Sequence, residues 1–260
     1  MNDIASYKEF ALKLAVAASQ EISPHFRKLD KIENKSDDSP VTLADKNAER
    51  VMREMIAEAY PEHGIIGEEF GNENEDADYV WVLDPIDGTL NFITGQPLFM
   101  TLVALLYQGN PVLGVAHQPI LNETWLGMNG EQTLFNNESL FSKKDIMLKD
   151  ACIATTSPYL FNSREKACFE AVRDAAARDC YGSDSYAYTM LASGHIDIVC
   201  EAGLSAYDVM ALVPIIEGAG GVVTDWAGNP LRLQNMTNID VVASANQSLH
   251  DEVLQVIEGE

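Results

Sequence analysis

Residues 81–92 read Trp-Val-Leu-Asp-Pro-Ile-Asp-Gly-Thr-Leu-Asn-Phe, and they constrain the fold more than any other stretch. The apolar run 79–83 predicts a buried strand, which stops abruptly at Asp84-Pro85-Ile86-Asp87-Gly88-Thr89. Pro and Gly impose a turn between two carboxylates three residues apart, which therefore converge just past the strand's end. A stiff turn carrying several oxygen donors is what a hard divalent cation requires. Gly88 and Thr89 open a short helix whose first N–H groups suit a phosphate. The structural alternative is an acidic surface turn closing a strand, because Asp, Pro and Gly are ordinary turn residues.

The bulk properties narrow the partners. At 260 residues the chain forms one large domain or two intimately packed halves. Seventeen Lys and Arg against 40 Asp and Glu give a net charge of −23, which argues against nucleic-acid and anionic-membrane surfaces. The start lacks the basic and apolar regions of a signal peptide, and no run approaches the roughly 18 apolar residues of a membrane span. Cys152, Cys168, Cys180 and Cys200 have no CxxC spacing, so reduced thiols in a cytoplasmic protein are expected.

Taken in order, residues 3–29 have apolar side chains at helical spacing, with a break near Pro24. The polar stretch 31–40 predicts a loop with Lys35, Ser36 and Asp37 near its tip. A second helix starts at Thr42, where Asp45 completes a capping box. Residues 61–69 give a turn, a short strand and the pair Glu68-Glu69, which on its own reads as a strand leaving the core. Residues 97–107 and 111–118 predict a hairpin, with 123–128 as a third strand.

Past Lys149 a second half begins, with strands over 151–156, 195–201, 222–225 and 239–244 and helices over 164–177 and 249–257. Another helix runs through Met190 and Leu191, with Ser183 or Asp184 as its cap. A further helix starts at Ser205-Ala-Tyr-Asp208, and Pro214 should bend it. The expected division is 1–148 and 149–260, forming one compact catalytic unit.

The string Asp84-Pro85-Ile86-Asp87-Gly88-Thr89 resembles the metal-binding signature of the inositol monophosphatase family of Mg-dependent phosphatases. Thr42-x-x-Asp45, Gly67-Glu68-Glu69 and Tyr207-Asp208 with Gly220-Gly221 fall in the family's order, so the resemblance spans essentially the whole chain. It implies an α+β fold of the layered α-β-α-β-α sugar-phosphatase kind, with the site between the halves. By that resemblance, Glu68, Asp84 and the Ile86 carbonyl would hold one Mg²⁺, and Asp84, Asp87 and Asp208 a second. A third, looser ion would lie near Glu68, and Mn²⁺ could replace Mg²⁺. Water would be activated at one ion and the leaving oxygen stabilised at another. Thr89, bonded to Asp45, would orient the water, and the backbone of Gly88 and Thr89 would receive the phosphate. A homodimer is implied too.

The family usually has Trp-Asp where this chain has Tyr207-Asp208. The segments 182–188 and 206–226 resemble the histidinol-phosphate phosphatases of the family, in which Asp184 and Glu201 would contact substrate. Paired acids suit a substrate carrying an ammonium and an imidazole better than an inositol ring. A helix cap for Asp184, a solvated strand end for Glu201 and a cap for Asp208 are the structural alternatives. The functional expectation is a Mg-dependent phosphomonoesterase acting on histidinol phosphate. The alternatives are an inositol or broad sugar monophosphatase, and a regulatory, protein-binding relative.

Overall fold

The structure is a computed structural model that describes residues 4–28, 33–34, 40–235 and 238–260. The large half contains α1 (Ile4–Ile22), β1 (Glu33–Asn34), β2 (Pro40–Val41), α2 (Leu43–Ala59), β3 (Gly64–Gly67), β4 (Gly71–Glu73), β5 (Tyr79–Asp87) and α3 (Thr89–Ile93). It continues through β6 (Met100–Tyr107), β7 (Asn110–Gln118), β8 (Glu123–Met128), β9 (Leu134–Phe135) and β10 (Glu138–Ser139). The small half begins with β11 (Cys152–Thr155), α4 (Ser163–Ala175), β12 (Arg178–Tyr181), α5 (Asp184–Ala192) and β13 (Ile198–Leu204). It ends with α6 (Ala206–Val209), α7 (Leu212–Ala219), β14 (Val222–Asp225), β15 (Ile239–Ser244) and α8 (Gln247–Glu258).

The large sheet has the order β10-β9-β8-β7-β6-β5-β3-β4, antiparallel except for β3 beside β5. The small sheet has the order β12-β11-β13-β15-β14, with β11 parallel to both neighbours. Strand alternation sends successive side chains into different cores. Trp81 and Leu83 face Leu14, Ala48 and Met52 of α1 and α2, whereas Val80 and Val82 face the core shared with α5, α6 and α7. Ala154 and Val199 join that central core, while Ile153 and Ile198 pack with Phe169 and Leu249 under α4 and α8. The five layers therefore run helix, sheet, helix, sheet, helix, the layered architecture the sequence resembles. Gly114 of β7 permits a close approach between layers, because a Cβ there would lie 1.9 Å from the Ala211 carbonyl.

Several sequence expectations need correction. A short strand, β1, lies within the expected 31–40 loop and pairs with β2, which begins at its end, and Lys35, Ser36 and Asp37 lie outside the described residues. Residues 178–181 form an edge strand, β12, which pairs with β11. Pro214 does not bend a continuous helix. The helix is broken into α6 and α7 around Met210 and Ala211, and Pro214 sits in the first turn of α7, where its missing N–H costs nothing. The four cysteines are free thiols, and no helix among the described residues is long and apolar enough to cross a membrane.

Candidate active site

The site is built where β5 leaves the large sheet. The pairing of β5 with β6 shifts register between Asp84 and Asp87, and such irregularities re-aim side chains. Asp84 Oδ1 accepts the Ile86 N–H at 3.0 Å, and the Thr101 hydroxyl donates to the Pro85 carbonyl at 2.8 Å, which stiffens the turn. Gly88 follows at φ 80° as the N-cap of α3. A Cβ at Gly88 would meet the Asp184 carboxylate at 2.9 Å, so only glycine fits both the conformation and the space.

The small half supplies the remaining groups. Ser205 caps α6, and the Asp208 carboxylate returns the bond by accepting the Ser205 N–H at 2.7 Å. One oxygen each of Asp84, Asp87 and Asp208 lies within 4.8 Å of the others. Burial first, then Glu68, Asp87 and Asp208, hold Asp84 well above the ordinary carboxylate range. Burial, Asp184 and Asp208 do the same to Asp87. Carboxylates crowded in this way are stabilised by a bound cation.

Glu68, just beyond β3, hydrogen-bonds with Asp84. Asp45 is fully buried, and burial is the main cause of its rise to about 6. Its Oδ2 accepts the Thr42 N–H at 2.9 Å and the Thr42 hydroxyl, completing the capping box. Its Oδ1 has no hydrogen-bond partner. The expected bond from Thr89 to Asp45 is not formed: the Thr89 hydroxyl donates to the Ile86 carbonyl at 3.1 Å, and Thr42 bonds only Oδ2 of Asp45. An orphaned buried carboxylate oxygen beside a cluster of hard oxygen donors fits Mg²⁺.

Asp184 and Glu201 open onto the same cavity as Asp87 and Asp208, a space of about 340 Å³ also lined by Thr156 and Leu160. Of the two expected caps, Ser183 takes the N-cap position of α5 without a side-chain bond, and Asp184 is the first helical residue. Asp184 stands at φ 42°, with its Oδ2 held by Asn91 Nδ2 at 2.5 Å, and Asp87 Oδ2 accepts the Ser185 N–H in its place. Glu201 is not a solvated strand end, because β13 continues past it to Leu204 and the side chain is buried. Its Oε1 accepts the backbone and hydroxyl of Thr156 at 2.7 and 3.0 Å, and burial pushes the carboxyl up to about 8. Sequence reading missed Asn91, Thr156 and Glu49. Asn91 lies two residues past Thr89 in the motif, and the other two carry no local signal.

A model described as the inositol monophosphatase family matches residues 3–260. The chain belongs to the inositol monophosphatase family. An inositol monophosphatase-family phosphatase is thus the enzyme class of this site. The chain is 47% identical to the protein named bifunctional phosphatase IMPL2, chloroplastic, of Arabidopsis thaliana, over 94% of this chain and 73% of that one. It is 31% identical to a histidinol-phosphatase of Chlorobaculum parvum, over 96% and 95% of the two chains. An inositol monophosphatase structure from Zymomonas mobilis superposes with a TM-score of 0.90 at 41% identity, covering 99% of this chain and all of that one.

Proposed function

We propose that this family phosphatase hydrolyses L-histidinol phosphate to L-histidinol and phosphate, the dephosphorylation step of histidine biosynthesis. One observation carries the reading: two carboxylates, the half-buried Asp184 and the buried Glu201, line the cavity beside the Asp84, Asp87 and Asp208 triad. A cationic substrate would neutralise acids that an uncharged polyol would leave buried without a counter-ion. The histidinol-phosphatase name of the Chlorobaculum relative supports the same choice. The Zymomonas neighbour favours inositol phosphate as the second reading.

Within this reading Asp84, Asp87 and Asp208 would hold one Mg²⁺, and Glu68, Asp84 and the Ile86 carbonyl another. Mg²⁺, when bound, supplies Lewis-acid activation of water and charge neutralisation at the phosphate and leaving oxygen. Thr89 orients the water through its hydroxyl, with Asp45 as the neighbouring buried base. The Gly88 and Thr89 N–H groups receive phosphate oxygens. Asp184 and Glu201 hold the ammonium and imidazole and thereby fix the ester in line with the triad. We carry a homodimer and a cytoplasmic setting with this reading, although the Arabidopsis relative is named chloroplastic. Phosphate release from a small panel of phosphomonoesters, with and without Mg²⁺, tests it. Mg-dependent release from histidinol phosphate is expected, and release that persists in excess EDTA would contradict the metal assignment.

A further inference from the structure

Thr156 stands between the two acids of the cavity. It follows β11 directly and lines the space with Asp184 and Glu201. Its N–H and its hydroxyl both converge on Glu201 Oε1, at 2.7 and 3.0 Å. That double grip fixes the carboxylate plane and leaves Oε2 without any bond to Thr156. Asp184 lines the same space close to Thr156, and its Oδ2 is held by Asn91 at 2.5 Å. The Gly182 N–H donates to the Thr156 carbonyl at 3.0 Å, and the Asn91 amide donates to the Gly182 carbonyl at 3.0 Å. Thr156 therefore ties the strand bearing Glu201 to the turn bearing Asp184, and Asn91 ties that turn to the helix after the aspartate motif.

Glu201 is held by Thr156 and Asp184 by Asn91, yet a carboxylate accepts more bonds than these, so both acids keep acceptor capacity toward the cavity they line. A phosphomonoester whose alcohol part carries a cation can fill it.

We propose that Thr156 is a positioning residue for substrate choice, holding Asp184 and Glu201 at the spacing that receives a cationic group on the alcohol side of the phosphoester. This rests on the reading that the enzyme prefers such a substrate. Thr156 touches no reacting atom, and its effect passes through the two acids.

The test compares Thr156→Val and Thr156→Ser with wild type, using L-histidinol phosphate and inositol-1-phosphate at saturating Mg²⁺. Valine keeps the shape and the backbone bond but deletes the hydroxyl. Loss of a hydrogen bond to a charged group predicts that the ratio of kcat/KM, histidinol phosphate over inositol phosphate, falls about tenfold or more in the valine variant. The fall should come mainly from KM for histidinol phosphate, and serine should restore most of the ratio. A fall shared equally by both substrates, an unchanged ratio, or serine behaving like valine overturns the role given to Thr156. If wild type itself prefers inositol phosphate, the functional reading fails first and takes this inference with it.

Discussion

Asp87 Oδ2 accepts the backbone N–H of Ser185 at 2.8 Å, so an acid of the large sheet's motif caps a helix of the small half. The bond spans 98 residues of sequence. It orients a triad carboxylate and brings the positive end of α5 against the acidic cluster. Asn91 reinforces the clasp by bonding both Gly182 and Asp184. The contact between the halves and the geometry of the site thus share the same bonds.

Removing Asp84 should separate fold from function. Asp84→Asn deletes a charge that burial and three neighbouring carboxylates disfavour. Turnover should fall at least about 100-fold, while the Tm in EDTA at pH 8 holds or rises. The rise in Tm that Mg²⁺ gives the wild type should also shrink. Near-normal Mg-dependent turnover in this variant would remove Asp84 from the metal site.

Stability of the metal-free protein should fall as pH rises. Glu201 moves from an ordinary value of 4.5 to about 8 in the fold, and Asp45 from 3.8 to about 6. Between those limits the folded chain keeps protons that the unfolded chain has released, so the folded state loses ground with increasing pH. Thermal unfolding in EDTA should give a higher Tm at pH 5 than at pH 8. Glu201→Gln should flatten the slope over the upper part of that window, and an undiminished slope would count against the assignment.

Much of this was legible in the sequence, and the residues explain which part. The order of strands and helices followed from apolar periodicity, because both sheets have faces that alternate between cores. Thr42 and Asp45 were readable as a capping box because capping is local chemistry, whereas the cap expected of Asp208 is Ser205, with Asp208 returning the bond. Beyond the short strands β1, β2 and β12 and the break before α7, what escaped at the site was long-range: the cap on α5 comes from Asp87, and Glu201 is held by Thr156, 45 residues earlier. No local pattern encodes such pairs. The Thr89–Asp45 bond was expected by resemblance, and the Thr89 hydroxyl turns to the Ile86 carbonyl instead.

The backbone at Asp184 offers a stability test. With φ at 42°, a side chain other than Gly, Asn or Asp is strained there. Asp184→Gly should be about 1 kcal/mol more stable than Asp184→Ala by chemical denaturation. Both should lose preference for a cationic substrate. An alanine variant at least as stable as the glycine one would show that no strain is held at this position.

Glu49 supports the turn that carries Glu68. Fully buried, it accepts Arg53 Nε at 2.8 Å, the Glu69 N–H at 2.7 Å and the Phe70 N–H at 3.2 Å. Glu49→Ala leaves the Arg53 charge short of a buried partner and should cost about 3 kcal/mol of stability. It should also raise the Mg²⁺ concentration needed for half-maximal activity. A destabilised variant with an unchanged Mg²⁺ requirement would confine Glu49 to holding the fold.

The most direct test of the central claim is kcat/KM for L-histidinol phosphate against inositol-1-phosphate, measured on the wild-type enzyme with Mg²⁺. The paired acids of the cavity predict a clear preference for histidinol phosphate, by about tenfold or more if one charged contact is decisive. Equal values, or a preference for inositol phosphate, would contradict it.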